Sequence, residues 1–323
     1  MDNNGLIHGF ILDGRGGGRE IGLEEAGTWT PEQGILWLHF DYTSETARNW
    51  VLQHIGRGSV EAEALLTEET RPRVFAIEDG ALIALRGVNL NPGSDPEDMV
   101  SVRLWIDGRK IISSRRRALL SVRDLAASLQ NNKGPKTCGE FITRLANGLT
   151  NRIEDTIETI EDRIADLEEQ TLEGESYRLR SQLAEIRRET IMLRRYLAPQ
   201  REALAKLFAE EFTWLSPRDR IHGREVTDRL IRFIEDLDMA RDRSALVLEE
   251  IINRISEKMN ERMYILSLFA AIFLPLGFLT GLLGINVGGI PGANNDQAFW
   301  LFVLFLVVLS GAEIVLFRVR RWL

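Results

Sequence analysis

The chain has a single cysteine, Cys138, among 323 residues. It can form no internal disulfide, and its soluble part has no need of an oxidising compartment. It also lacks a surplus of positive charge. Lys and Arg number 40 against 48 Asp and Glu, a net charge of −8. That balance argues against a nucleic-acid partner, which wants a basic face, and suits a protein that attracts cations. The N-terminus, MDNNGLIHGFILDGRGGG, has neither the basic region nor the long apolar run of a secretory signal. Histidine is scarce: His8, His39, His54 and His222 are scattered, without zinc-ligand spacing. Neither a closed metal centre nor a tightly bound cofactor is therefore expected. No nucleophile–base or carboxylate pair stands out, which leaves little basis for an enzyme.

The longest absence is of charge. Met263–Asn295 carries no charged residue and includes FLPLGFLTGLLGINVGGIPG. A second apolar run, Ala298–Phe317, follows after a short turn. About 20 apolar residues cross a hydrocarbon core, so 263–283 and 298–317 are predicted to be two membrane-spanning helices joined by an outer loop, 284–297. Arg254, Lys258 and Arg262 precede the first span, and Arg318, Arg320 and Arg321 follow the second. The loop has no Lys or Arg, so the positive-inside rule places both termini in the cytoplasm.

What precedes the spans divides in two. Residues 1–135 are predicted to form an α/β domain with an antiparallel component. Ile35–Tyr42 is strand-like; Val74–Ile77 and Ala81–Val88 flank Asp79-Gly80, and Val100–Ile106 and Lys110–Ser114 flank Asp107-Gly108. These Asp-Gly pairs are hairpin turns in which glycine tolerates positive φ. Thr43–His54 and Val60–Glu69 read as helices. Residues 136–262 are predicted to be all-helical: Gly139–Gln170, Ser176–Phe212, and a helix from Arg218 that runs on to Leu283. Ser216 and Pro217 supply its N-cap and first turn. Those 66 residues would make a rod of roughly 100 Å.

The long helix carries a heptad seam of Val226, Leu230, Phe233, Leu237, Ala240, Ser244, Val247 and Ile251. The seam serves either packing within the chain or self-association. Ile231, Ile234, Leu248, Ile252 and Ile255 form a second apolar strip. Residues 151–175 hold ten Asp or Glu against two Arg, while the next helix is arginine-rich. The plain interpretation is a helical hairpin whose charged faces pair or are solvated; the functional one is an acidic surface that concentrates cations.

Within the first span, steps of three and four place Gly281, Gly277, Leu274, Ala270, Ser267, Leu266 and Met263 on one stripe. Its outer end is glycine and cannot block a passage; its inner end is bulky enough to narrow one. The alternative is that Gly277-x-x-x-Gly281 lets helices pack closely. Gly284-Ile285-Asn286 follows, where the Asn286 amide and exposed carbonyls are neutral oxygen ligands able to contact a hydrated cation. Glu313, inside the second span, is a candidate for proton coupling, although it lies close to Arg318. His39 with Asp41, and His222, are weak metal-site candidates. Gly14–Gly18 lacks the context of a phosphate loop and reads as a turn.

Ala271–Val287, AIFLPLGFLTGLLGINV, resembles the first-span signature of the CorA superfamily of divalent-cation transporters, whose hallmark is Gly-Met-Asn. Ile285 in place of the methionine, followed by Val287-Gly-Gly-Ile-Pro-Gly292, is similar to the zinc-transporting ZntB branch. So are LDGRGG at Leu12–Gly17, ETRPRV at Glu69–Val74, IDGRKIISSRRR at Ile106–Arg117 and MLRRYLAPQR at Met192–Arg201. The resemblance implies a funnel-shaped homopentamer in a bacterial-type inner membrane, in contact with lipid. First spans would line the pore, and Gly284, Ile285 and Asn286 would form its outer selectivity ring. It further implies transport of Zn2+, with proton-coupled uptake. A magnesium, cobalt or nickel channel of the same architecture is the runner-up. From another class, a membrane-anchored coiled-coil interaction protein is conceivable, but an anchor needs no Gly-Pro-Asn cluster.

Overall fold

The structure is a computed structural model that describes residues 5–68, 71–173, 176–285, 290, 292 and 295–320. The chain divides into two compact units, one ending at Leu248 and the other beginning at Glu249.

The first unit is built on a seven-stranded sheet. In chain order its strands are β1 (Leu6–Leu12), β2 (Gly18–Glu20), β3 (Ile35–Asp41), β4 (Arg73–Ile77), β5 (Gly80–Gly87), β6 (Val100–Ile106) and β7 (Lys110–Arg115). In space they run β2-β1-β3-β7-β6-β5-β4. Every neighbouring pair is antiparallel except β3 and β7, which run parallel with Trp37 opposite Ile111. The sequence pattern pointed to β3 to β7 but not to β1 and β2, whose glycine-rich surroundings hide any alternation.

Both faces of the sheet are covered, which is why β3 reads ILWLHFD rather than alternating apolar with polar. On one face Leu36, Leu38, Phe40, Leu82, Trp105 and Ile112 pack with Ala47 and Val51 of α2 (Glu45–His54) and with Ala62 and Leu65 of α3 (Val60–Leu66). On the other, Trp37 meets the edge of Phe141 at 4.9 Å. Phe141 belongs to α5 (Cys138–Glu173), which follows α4 (Leu120–Gln130); a short α1 (Leu23–Gly27) lies between β2 and β3.

Both Asp-Gly hairpins form, but for different reasons. Gly108 has φ +84, the left-handed turn residue expected there. At the other hairpin Glu78 takes positive φ (52°), and Gly80 pairs with Ile77 inside the ladder. Gly80 is not the turn residue. It lacks a side chain because a Cβ would lie 2.3 Å from the Trp105 ring.

His39 and Asp41 do not act together. Asp41 accepts from the Thr43 N–H and hydroxyl. His39 is fully buried, and its Nδ1 lies 2.8 Å from Ser113 Oγ. Ser113 Oγ takes a bond from Trp37 Nε1 and gives one to the Leu38 carbonyl, so His39 Nδ1–H is the donor. Its Nε2 has no partner among the described residues. Burial foremost, then Arg115 and His8, holds the His39 pKa well below the usual histidine value. His8 is lowered too, again chiefly by burial.

The unfolded chain therefore takes up protons that the folded one refuses. Stability is at its full value above about pH 6.5 and falls on acidification, by at most about 1.4 kcal/mol per pH unit for each such histidine. The unfolding midpoint of the full chain should drop between pH 7.5 and 5.5, and His39→Gln should flatten that slope.

Beyond the sheet run α6 (Ser176–Ala209) and α7 (Pro217–Leu283), with α5 before them. α7 is one unbroken helix of 67 residues. Its heptad seam, Val226 to Ile251, is buried within a single chain, each residue at most 6% exposed. Packing inside the chain therefore accounts for the seam. The second strip differs: Ile231, Ile252 and Ile255 remain exposed.

The acidic helix does not meet the arginines of α6 as the simple hairpin picture had it. Within its acidic run 151–175, the carboxylates that pair among the described residues pair with α7: Glu154 with Arg229 at 2.5 Å, and Glu168 with Arg243. Both pairs are 75 residues apart, so α5 and α7 run parallel and in register. The bridge between α5 and α6 has the opposite polarity, Arg163 to Glu189 at 2.7 Å. Arg194 of α6 reaches Asp238 of α7 at 2.8 Å.

Candidate functional site

The second unit contains the end of α7 and α8 (Ala298–Val319). Both helices are long and apolar enough to cross a membrane. Each has one covered side. On α7 the half-buried residues are Leu268, Ile272, Pro275, Leu276 and Leu279. On α8 they are Ala298, Phe302, Val303, Leu306, Leu309, Ser310 and Glu313, with Phe317 buried. The threes and fours in both sets are what two helices packed on each other present.

The predicted stripe lies on the opposite side of α7. Ile272 stands nine residues from both Met263 and Gly281, about two and a half turns in each direction. Met263, Leu266, Ser267, Ala270, Leu274, Gly277 and Gly281 are all exposed. At Gly277 and Gly281 an added Cβ would meet no atom within 4 Å. Leu274 is 72% exposed and Leu266 69%, too much apolar surface to face water, so lipid or another copy of the chain must cover this side.

The helix stops at Leu283. The Gly284 N–H still bonds back to the Thr280 carbonyl at 2.9 Å. A Cβ there would come within 2.9 Å of that carbonyl oxygen, so a larger residue would strain this helix end. Ile285 is half exposed. Asn286, the proposed cation-contacting residue, lies outside the described residues, as do Val287 to Gly289.

Glu313 sits on the covered side of α8, and its Oε2 is buried without a hydrogen-bond partner among the described residues. It forms no ion pair with Arg318 among them. The helix-face pattern, rather than the charge itself, is the signal that places it inward.

In the first unit, Glu161 of α5 and Asp236 of α7 both have carboxyls pushed above the usual range. Burial is the main cause; Asp236, Glu158 and Asp162 add repulsion at Glu161, and Glu235 does so at Asp236. This acidic surface is thus only partly neutralised by the α5–α7 bridges. Among the described residues no group of three or more His, Cys, Asp or Glu is placed to hold a metal ion. His222 has no such company.

Comparison with known proteins bears on what such a two-helix unit does. The family of CorA-like Mg2+ transporter proteins matches residues 32–321. The divalent cation transporter CmaX of Pseudomonas aeruginosa is 41% identical, over all of this chain and 98% of its own. The zinc transport protein ZntB of Pectobacterium atrosepticum is 36% identical, over all of this chain and 98% of its own. Among solved structures, full-length CmaX superposes with a TM-score of 0.87 at 40% identity, covering all of this chain and 99% of that one. The CorA magnesium transporter of Methanocaldococcus jannaschii shares the fold, with a TM-score of 0.83 at 19% identity over 98% of this chain and 99% of its own.

Proposed function

The chain belongs to the CorA superfamily of divalent-cation transporters, close to both the CmaX and ZntB branches, and on that premise we propose that it carries zinc through a homopentameric pore. Divalent-cation transport follows from the family and sets aside both an enzyme and an anchored interaction protein. The pore is supported by one observation above the rest: an exposed stripe that ends in two glycines with empty space around them, opposite the covered side of the same helix; zinc as cargo is supported by the similarity to ZntB.

In this proposal the stripes of five copies face a common axis. Gly277 and Gly281 leave the outer half open, and Leu274, Leu266 and Met263 narrow the inner half enough to gate by dewetting. Gly284, Ile285 and Asn286 form the outer ring. Asn286 would contact the ion through its hydration shell, since an amide oxygen is too weak a ligand to strip the water from a divalent cation. Conduction needs weak binding at several places, so scattered histidines do not oppose zinc as cargo. The termini lie in the cytoplasm, where the acidic surface around Glu158, Glu161 and Asp162 draws cations toward the inner mouth. Proton-coupled uptake, with Glu313 as the coupling group, completes the reading.

The runner-up cargo is magnesium, favoured by the description of the matching family. Flux into proteoliposomes decides between them. Zinc should enter faster than magnesium, and a pH gradient should accelerate it. Asn286→Ala should reduce zinc flux about tenfold. Equal flux in that variant would remove the outer-ring role, and pH-independent flux would remove proton coupling.

A further inference from the structure

Where α4 starts, at one end of the sheet in the first unit, there is a cavity of 200 Å³. It is lined by Ile7 and His8 of β1, His39 of β3, Arg115 of β7, and Leu119 and Arg123 at the start of α4. Register brings the strand residues together. His8 pairs with His39, His39 pairs with Ser113, and Arg115 stands two residues beyond Ser113. All of them therefore point to one face of three adjacent strands. The chain then passes through residues 116–119 directly into α4, which keeps the helix start at that end.

Three features of this cavity point to a ligand. The first is charge. No Asp or Glu lines it, whereas two guanidinium groups do. Arg115 is half-buried and Arg123 exposed, and among the described residues neither forms an ion pair or a side-chain hydrogen bond. Asp41 acts on Arg115 from the neighbouring strand, but its carboxylate is taken by the Thr43 N–H and hydroxyl. Glu20 acts more weakly on His8 than burial does.

The second feature is the helix end. α4 has no side-chain cap and no acidic residue in its first turn. The Leu120 and Ser121 N–H groups have no hydrogen-bond partner among the described residues, and such groups at a helix start attract anions.

The third is His39, wholly buried at the floor of the cavity. Its Nδ1–H is committed to Ser113, so Nε2 carries a lone pair, and no donor reaches it among the described residues. Burial, Arg115 and His8 all oppose a proton there. A bare anion suits the guanidinium groups and the helix end but is repelled by that lone pair. An anion that also carries an O–H satisfies both.

We propose that this cavity binds a small oxyanion that keeps an acidic O–H at neutral pH, as hydrogen phosphate and bicarbonate do and sulfate does not. The O–H donates to His39 Nε2, while the other oxygens accept from Arg115, Arg123 and the first turn of α4. The volume is below the roughly 300 Å³ at which drug-sized sites begin and suits a small inorganic ion. A divalent cation has the wrong sign for this lining, so the site is independent of the transported ion.

The test titrates the full chain, in metal-free detergent solution at about pH 7.5, with inorganic phosphate, bicarbonate and sulfate by calorimetry. Phosphate or bicarbonate should bind with a Kd below about 1 mM and raise the unfolding midpoint. Sulfate has the size and shape of phosphate but no O–H. It should bind about tenfold more weakly or worse, because the Nε2 lone pair is then left facing an oxygen with no proton between them. Arg123 is exposed, so Arg123→Gln should fold normally and weaken phosphate binding by about fivefold or more. Arg57→Gln, at an exposed arginine that does not line the cavity, should bind as the wild type does. The proposal is overturned if neither phosphate nor bicarbonate binds the wild type at about 10 mM, if sulfate binds it as tightly as phosphate, or if Arg123→Gln and Arg57→Gln bind phosphate alike.

Discussion

Gly281→Leu is expected to lower divalent-cation flux into proteoliposomes by more than about tenfold, through an apolar plug in a narrow passage, while leaving the chain folded. The argument rests on where the position sits. Gly281 is five turns from Met263 on the same side of α7 and faces away from the covered side at Ile272. Within one chain a Cβ at Gly281 meets nothing, and leucine is a better helix former than glycine by nearly 1 kcal/mol. A loss of flux therefore cannot come from damage to the single chain. In the proposed assembly it comes from what the stripe faces between copies. Phe269→Leu, on another exposed side of the helix, should leave flux nearly unchanged. If Gly281→Leu instead breaks the assembly, seen as a smaller particle on size-exclusion chromatography, the small residues serve close helix packing and do not line the passage.

The second large effect is on stability. Gly223→Ala is expected to lower the unfolding midpoint by about 4–8 °C, even though alanine normally favours a helix. Gly223 lies in the early turns of α7 against the Phe208 ring of α6. A Cβ there would fall 2.2 to 2.4 Å from three ring carbons. Phe208 is 1% exposed, so the ring has nowhere to turn. Overpacking of this kind costs about 1–3 kcal/mol and occasionally more, against about 1 kcal/mol gained in helix propensity. With no room for the ring to move, the cost belongs at the upper end of that range, a net loss of about 2 kcal/mol, which at about 2–4 °C per kcal/mol for a unit of this size gives the stated shift. Gly22→Ala, where the added Cβ meets nothing, is the control and should move the midpoint by less than about 2 °C. An unchanged midpoint for Gly223→Ala would mean that α6 and α7 separate easily at this end.

Much of the fold was legible locally. The ends of α5, α6 and α7 fall within a few residues of where caps, prolines and glycines put them. The spans stand out because an uncharged run of that length has few other uses. The stripe was legible as a periodicity, and the structure adds that it is the uncovered side. Other features were misread or hidden. Gly80 looked like a turn residue, yet its reason is Trp105, 25 positions away. The seam on α7 left packing and self-association open until its burial within one chain was seen. The acidic run of α5 suggested its neighbour α6 as partner, whereas the bridges go to α7.

The sequence by itself determined the kind of molecule: two apolar spans, an outer loop without Lys or Arg, long helices, and a Gly284-Ile285-Asn286 triplet with its family resemblance. These are short-range properties, carried by residues within a few turns of one another. Only the tertiary structure decided which face of each helix is covered, that α5 and α7 run parallel, and that buried His39 lies against Ser113. Those outcomes depend on strand register and helix packing between segments tens of residues apart. A local pattern cannot encode them, because each side chain's partner is supplied by a different part of the chain.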